Sequence, residues 1–186
     1  MSKGIVEKIL IGKSKTMGEK NANNPMDREW TSGIFKEPVK GPVWLSKTNL
    51  TGDGQADLQH HGGLENAVFV YPIEHYSKWL TELKLADLTI GAMGENFALS
   101  GQLEEDVCIG DIYKMGEALT LSERPYPQWT IARCNEIMHI MKKDLKAAAE
   151  LASCKLLAEN WKKTLHTRVE KGENPDINKR VYGPNI

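Results

Sequence analysis

Long apolar runs, paired cysteines and an excess of either charge are all missing from this 186-residue chain. No run of about 18 apolar residues occurs, so no membrane-spanning helix is expected. The cysteines number three, at 108, 134 and 154. An odd, widely spaced set makes no disulfide framework and offers no Cys-x-x-Cys metal spacing. Lys and Arg total 24 against 25 Asp and Glu, a formal net charge of -1. The bulk field therefore gives no reason to expect a nucleic-acid surface. Met1 to Gly12 holds only short apolar pieces interrupted by charge, unlike a secretory signal. No internal repeat or low-complexity tract is evident. These absences lead to an expectation of a cytoplasmic protein with neither a nucleic-acid nor a membrane partner.

With 40% hydrophobic and 26% charged residues the composition is globular. The length suits one domain, expected over residues 1–172 with a helical segment at 130–157, followed by a polar tail at 173–186. Ile5 to Ile11 reads as a first strand. Residues 13–38 are polar and rich in Gly, Asn and Pro, and read as a long loop with one short strand around Gly33 to Phe35. Loops of that length often cover a site. Pro42 to Ser46 and Ala67 to Tyr71 read as further strands. Ile73, Tyr76, Leu80 and Leu83 then recur at helical spacing. A short strand is expected at 94–99 and a hairpin at 112–122, turning at Gly116-Glu117. Thr130 to Leu157 reads as one or two helices. After Glu159 the pattern is weak, and Val169 to Gly172 reads as the end of a strand. Many short strands followed by helix predict a mainly β fold with flanking helices, a barrel or sandwich rather than alternating β-α units.

The densest polar stretch is Gly52 to Tyr71, G-D-G-Q-A-D-L-Q-H-H-G-G-L-E-N-A-V-F-V-Y. It sets Asp53, Asp57, His60, His61 and four glycines ahead of an apolar run, as a binding site at the mouth of a sheet would. Asp53, Gln55 and Asp57 share a face if extended. Turn-stabilising bonds from their side chains to the backbone explain them equally well. His60 and His61 are neighbours, so on a strand only one faces a given pocket. Gly62, Gly63 and Gly94 let backbone N–H groups approach a phosphate or pterin, or simply serve turns. Asp53, Asp57 and a histidine are metal-ligand types, but their spacing matches no known cage, and no metal bound by protein side chains is expected.

Several of these pieces, taken in order, resemble the MOSC domain family, named for the C-terminal domain of molybdenum cofactor sulfurases, and especially its small stand-alone bacterial members. They are Ser32-Gly33-Ile34-Phe35-Lys36-Glu37-Pro38-Val39, Gly52-Asp53-Gly54-Gln55-Ala56-Asp57 with His60-His61-Gly62-Gly63, Tyr71-Pro72 with Glu74-His75-Tyr76, Gly94-Glu95-Asn96, and Cys108-Ile109-Gly110-Asp111. The resemblance implies a closed β-barrel similar to the barrel domain of pyruvate kinase. It further implies molybdenum cofactor binding, with sulfur transfer or reduction of N-hydroxylated small molecules. In that reading Asp57, His60 and His61 position a substrate, while Asp53, Gly62, Gly63, Glu95, Asn96 and Arg124 hold the cofactor. A redox or sulfur-donor protein is the implied partner. The family's Pro-Arg-x-Pro-Cys motif is altered here: its cysteine position falls on Gln128, and its Pro-Arg pair stands reversed as Arg124-Pro125. A neutral amide cannot carry a persulfide, nor act as the thiolate a soft metal favours. The alternative is therefore a catalytically degenerate module that binds a small molecule or anion.

Overall fold

The computed structural model describes residues 3–58, 61–116 and 118–172. The chain forms two compact units, one of residues 4–101 and one beginning at Gln102.

The first unit is built on β1 (Ile5–Ile11), whose β-branched run favours a pleated backbone. Two short strands follow as a ribbon, β2 (Lys15–Met17) and β3 (Trp30–Ser32), paired antiparallel from Lys15 opposite Ser32 to Met17 opposite Trp30. β4 (Glu37–Pro38) lies along one edge of β1. β5 (Val70–Pro72), α1 (Glu74–Leu83) and β6 (Phe97–Ser100) complete the unit, and the main sheet runs β4-β1-β6-β5. β6 is antiparallel to β1 and parallel to β5. The parallel pair needs a crossover, which α1 and the loop after it supply. One β-α-β unit is thus present in a chain whose sequence pattern suggested a barrel or sandwich rather than alternating β-α units. Leu10, Leu50, Tyr76, Phe97, Ala98 and Leu99 form the buried apolar interior.

The second unit opens with the hairpin of β7 (Ile112–Met115) and β8 (Leu119–Glu123). It continues through α2 (Ile131–Asn135), a π-helical turn at Glu136–Ile140, α3 (Leu145–Ala152) and α4 (Glu159–Lys171). Side-chain caps set two of the starts. Thr130 Oγ1 accepts the Arg133 N–H at 3.1 Å, and Asp144 Oδ1 accepts that of Ala147 at 2.9 Å. The core gathers Cys134, Ile137, Ala148, Leu151, Cys154 and Leu165.

The expectation of a mainly β, closed barrel is overturned. The architecture is mixed α/β, and among the described residues its sheets are small and none closes into a barrel. The physical reason lies at the edges. β4 has two residues, and the segment expected to be a strand at 42–46 turns back on itself instead. There Leu45 bridges Leu50, Ser46 N–H donates to Asn49 O, and Trp44 stays 75% exposed. The strand expected at 33–35 forms earlier, as β3. The stretch after Glu159 is a helix, not a strand. The expected polar tail at 173–186 lies outside the described residues. No helix among the described residues is long and apolar enough to cross a membrane.

Candidate functional site

In the first unit, the segment after β3, the Gly52–Phe69 stretch and the turn before β6 enclose a cleft of about 490 Å³. Two glycines permit the approach of its walls. A Cβ on Gly33 would lie 2.4 Å from the Gly54 carbonyl oxygen. At Gly94, φ is +79° and a Cβ would meet Ile34 Cγ1 at 2.8 Å.

A buried polar hub underlies the cleft. Asp53, its side chain wholly buried, accepts the Gly12 N–H at 2.9 Å and the Lys36 ammonium at 2.5 Å on Oδ1. Its Oδ2 accepts from Asn96 Nδ2 at 3.0 Å. Asn96 also donates to Leu10 O at 3.2 Å, while its Oδ1 accepts the Phe69 N–H at 3.0 Å. These bonds join β1, the loop after β3, the Gly52 stretch and β6, which explains why polar groups occupy that depth. Gln55 hydrogen-bonds Asn49 Oδ1 at 3.0 Å. The loop beyond it is closed by the His61 N–H on Asp57 O (2.9 Å) and the Gly62 N–H on Asn66 O (3.0 Å).

Of the residues singled out from the sequence, Asp53, Gln55, Asp57, His61, Gly62, Gly94 and Asn96 come together on this cleft. His60 lies outside the described residues. Gly63 is exposed beside the cleft and is not among its lining residues. Glu95, just before β6, is fully buried and bonds to α1 and the turn at Gly91, not to the cleft. Its Oε1 accepts the Tyr76 hydroxyl at 2.6 Å and the Gly91 N–H at 2.8 Å, and Oε2 has no partner among the described residues. Burial, reinforced by the Glu95 carboxylate, pushes the Tyr76 phenol up to about 12, so it serves as a donor and not as a base.

Arg124 and Gln128 belong to the second unit and do not line the cleft. Arg124 donates from Nε to Asp111 Oδ1 at 2.9 Å and from Nη2 to Asp111 Oδ2 at 2.6 Å. This fork is already engaged by a buried carboxylate. Burial alone would raise the Asp111 carboxyl, but the Arg124 bonds and the Cys108 N–H outweigh it and hold the group below the usual carboxylate range. Gln128 is exposed in a turn. All three cysteines are free and buried. Burial raises the Cys108 thiol and pushes Cys134 up to about 11, so neither is a ready thiolate at neutral pH. Among the described residues no three His, Cys, Asp or Glu side chains group to hold a metal ion.

Lys36, Ile34, Phe69 and Met93 line the cleft without having been assigned a role from sequence. Lys36 and Ile34 fall inside the Ser32–Val39 motif, which was the available signal. Nothing local marks Met93, brought in by the turn before β6.

A family model for the MOSC domain matches residues 57–183. Over 94 residues the chain is 47% identical to the uncharacterized protein YflK of Bacillus subtilis, a match covering 50% of this chain and 42% of that protein. Over 103 residues it is 44% identical to a protein named Reductase from Gibberella moniliformis, covering 53% of this chain and 18% of that one. The matched stretch thus spans less than half the length of either relative. The crystal structure of YiiM from Escherichia coli superposes with a TM-score of 0.69 at 20% identity, covering 98% of this chain and 100% of that one, a likeness of fold.

Proposed function

We propose, on the premise that this chain belongs to the MOSC domain family, that it binds a small molecule in the cleft of residues 4–101 and supplies no thiolate chemistry of its own. The observation that carries this reading is the burial of every cysteine together with an amide at position 128. The family is associated with the molybdenum cofactor. That group carries a phosphate and a metal that favours soft ligands. The cleft's residues do not fit it: they include no thiol, and their ammonium, Lys36, is already paired with Asp53. In this reading Asp57 and His61 orient the ligand at the open face. Asp53, Asn96 and Lys36 hold the walls in place beneath it. Cytoplasmic residence is part of the same proposal, in keeping with three free thiols.

A second reading is favoured by the fungal relative's name. Here the chain is the MOSC portion of a reductase-like system, and a partner redox or sulfur-donor protein provides what Gln128 lacks. Elemental analysis for molybdenum separates the two, made with mass spectrometry of released small molecules on protein from a host that makes the cofactor. Organic ligand without molybdenum supports the first reading. Molybdenum near one per chain overturns it. Gln128→Cys sharpens the result, since gain of molybdenum or persulfide by that variant would mean that only the thiolate is missing.

A further inference from the structure

Tyr76, 6% exposed, is the buried member of a ring cluster formed by β5 and α1. Tyr71 lies at its centre. Its ring stands edge-on to Tyr76 with 5.9 Å between centroids, and its hydroxyl oxygen accepts the Trp79 indole N–H at 2.6 Å. Tyr71 and Trp79 are half-buried, so the cluster leads from the surface inward. Packed aromatic rings are ordinary in a core. The inner end of this cluster is not. The Tyr76 hydroxyl donates to Glu95 Oε1 at 2.6 Å, and the Gly91 N–H donates to the phenol oxygen at 3.0 Å. The ring thus has a base within proton-transfer reach, and a donor that stays on its oxygen once the proton has gone. An amide at position 95 would accept the same two bonds without burying a charge. A wholly buried carboxylate whose second oxygen has no partner among the described residues is a costly anchor for a turn, and a strong proton acceptor. Tyr113 gives the contrast. Its hydroxyl lies 3.4 Å from Asp111 Oδ2, a carboxylate already engaged by Arg124 and the Cys108 N–H and therefore a poor base. The Trp79 N–H meets a phenol oxygen, which is no base at all.

We propose that Tyr76 is a redox-active tyrosine, which yields an electron through Tyr71 and Trp79 to a one-electron oxidant at the surface while its hydroxyl proton passes to Glu95. An organic peroxyl radical is an oxidant of the right class. The Tyr76 O–H bond breaks and an O–H bond forms on Glu95, leaving a neutral phenoxyl radical beside a neutral acid. The peroxyl radical takes the electron and a solvent proton and departs as a hydroperoxide. An electron returned by a reductant such as ascorbate, with the proton going back from Glu95, restores the pair. Oxidation in this form removes a charge from the interior instead of adding one, which lowers its cost at a site without water. The proposal is independent of what the cleft binds.

The test is flash oxidation of the full chain by a photogenerated ruthenium(III) polypyridyl complex, followed by phenoxyl absorption and electron paramagnetic resonance. A tyrosyl radical is expected whose rate of formation does not rise with added buffer base, because its proton acceptor is internal. Phenols open to water speed up under the same addition. Tyr76→Phe should remove the buffer-independent phase. Glu95→Gln keeps an oxygen for the hydroxyl but takes away the base, and should slow that phase about a hundredfold. Tyr71→Phe leaves the Tyr76–Glu95 bond in place and should slow the phase through the lost ring, so the proposal stays open to refutation even where a variant at 76 or 95 fails to fold. Thermal midpoints establish which variants fold. Absence of a buffer-independent phase in the parent chain overturns the proposal. So does survival of that phase in Tyr76→Phe, or an unchanged rate in Glu95→Gln or Tyr71→Phe.

Discussion

In residues 4–101 a carboxylate taken out of water finds three donors, whereas in residues 102–172 a guanidinium taken out of water finds no acid. Asp53 receives the Gly12 N–H, Lys36 and Asn96. Arg168 is 2% exposed and has no acidic partner among the described residues. It donates instead to the carbonyls of Ile137 at 2.9 Å and Met138 at 2.8 Å, and its Nε has no partner among the described residues. Those carbonyls belong to the π-helical turn, where the backbone bond pattern changes and oxygens are left open. One unit is thus fastened by a compensated ion pair within a polar network. The other has its Arg124–Asp111 pair at the hairpin, but its helical core is fastened by apolar packing, with a cation serving as a backbone clip. The first unit gathers its polar groups beneath a cleft, and the second buries its three thiols.

The sharpest way to break this contrast is Asp53→Asn. It leaves Lys36 buried without its charge partner, and a loss of about 3–5 kcal/mol is expected by chemical denaturation. Adding Lys36→Met should return much of that loss, because the desolvated charge then disappears with its partner. Failure of the second change to help would mean that the neutral bonds of Asn96, not the ion pair, hold the unit. Leu151→Ala, at a fully buried position of the helical core, should cost about 3 kcal/mol and show in hydrogen exchange chiefly within residues 102–172. Arg168→Met tests the clip. Two carbonyls lose donors, but an uncompensated buried charge also goes, so a smaller loss of about 1–2 kcal/mol is expected in thermal melts. A larger loss would show that the guanidinium bonds dominate.

The smallest effect concerns acid. The Asp111 carboxyl lies below its ordinary 3.8 in the folded chain. Its contribution is therefore complete above that value and drains away as pH falls from there through the lower folded value. Urea unfolding compared at about pH 5 and about pH 3 should show a flatter dependence for Asp111→Asn than for the parent. Equal slopes would assign the acid sensitivity to other carboxylates.

Much of the local structure was legible because its causes are local. The β-branched run Ile5–Ile11 is β1 over that span, and the three-to-four spacing after Pro72 is α1. The hairpin around Gly116 falls where its turn signal lies. What failed depends on distant partners. Pro42 to Ser46 has strand composition, yet among the described residues it pairs with no named strand and bonds to Asn49, Leu50 and Thr51 just after it. α4 was missed because its buried stripe is thin. Leu165 and the buried stem of Arg168 carry it, and an arginine reads from sequence as solvent-facing. Asp53 and Asn96 stood out as polar residues in a special setting, but their bonding to Leu10, Gly12 and Lys36 spans sequence separations that no window contains. The mixed architecture follows from the same cause: closure depends on how edges meet, which strand composition does not encode.

The pairing of β1 with β6 has a further consequence, for synthesis. Ile5 lies opposite Ser100 and Ile9 opposite Phe97, so the first strand made has its long neighbour made roughly ninety residues later. Until the ribosome has delivered Asn96 and the strand after it, β1 offers only the two-residue β4 to pair with, and the Leu10 side chain has no sheet to enter. Such late long-range closure slows folding and leaves an apolar edge open in the nascent chain. A chain truncated before residue 97 should therefore fail to fold the first unit, even though it contains every residue that lines the cleft.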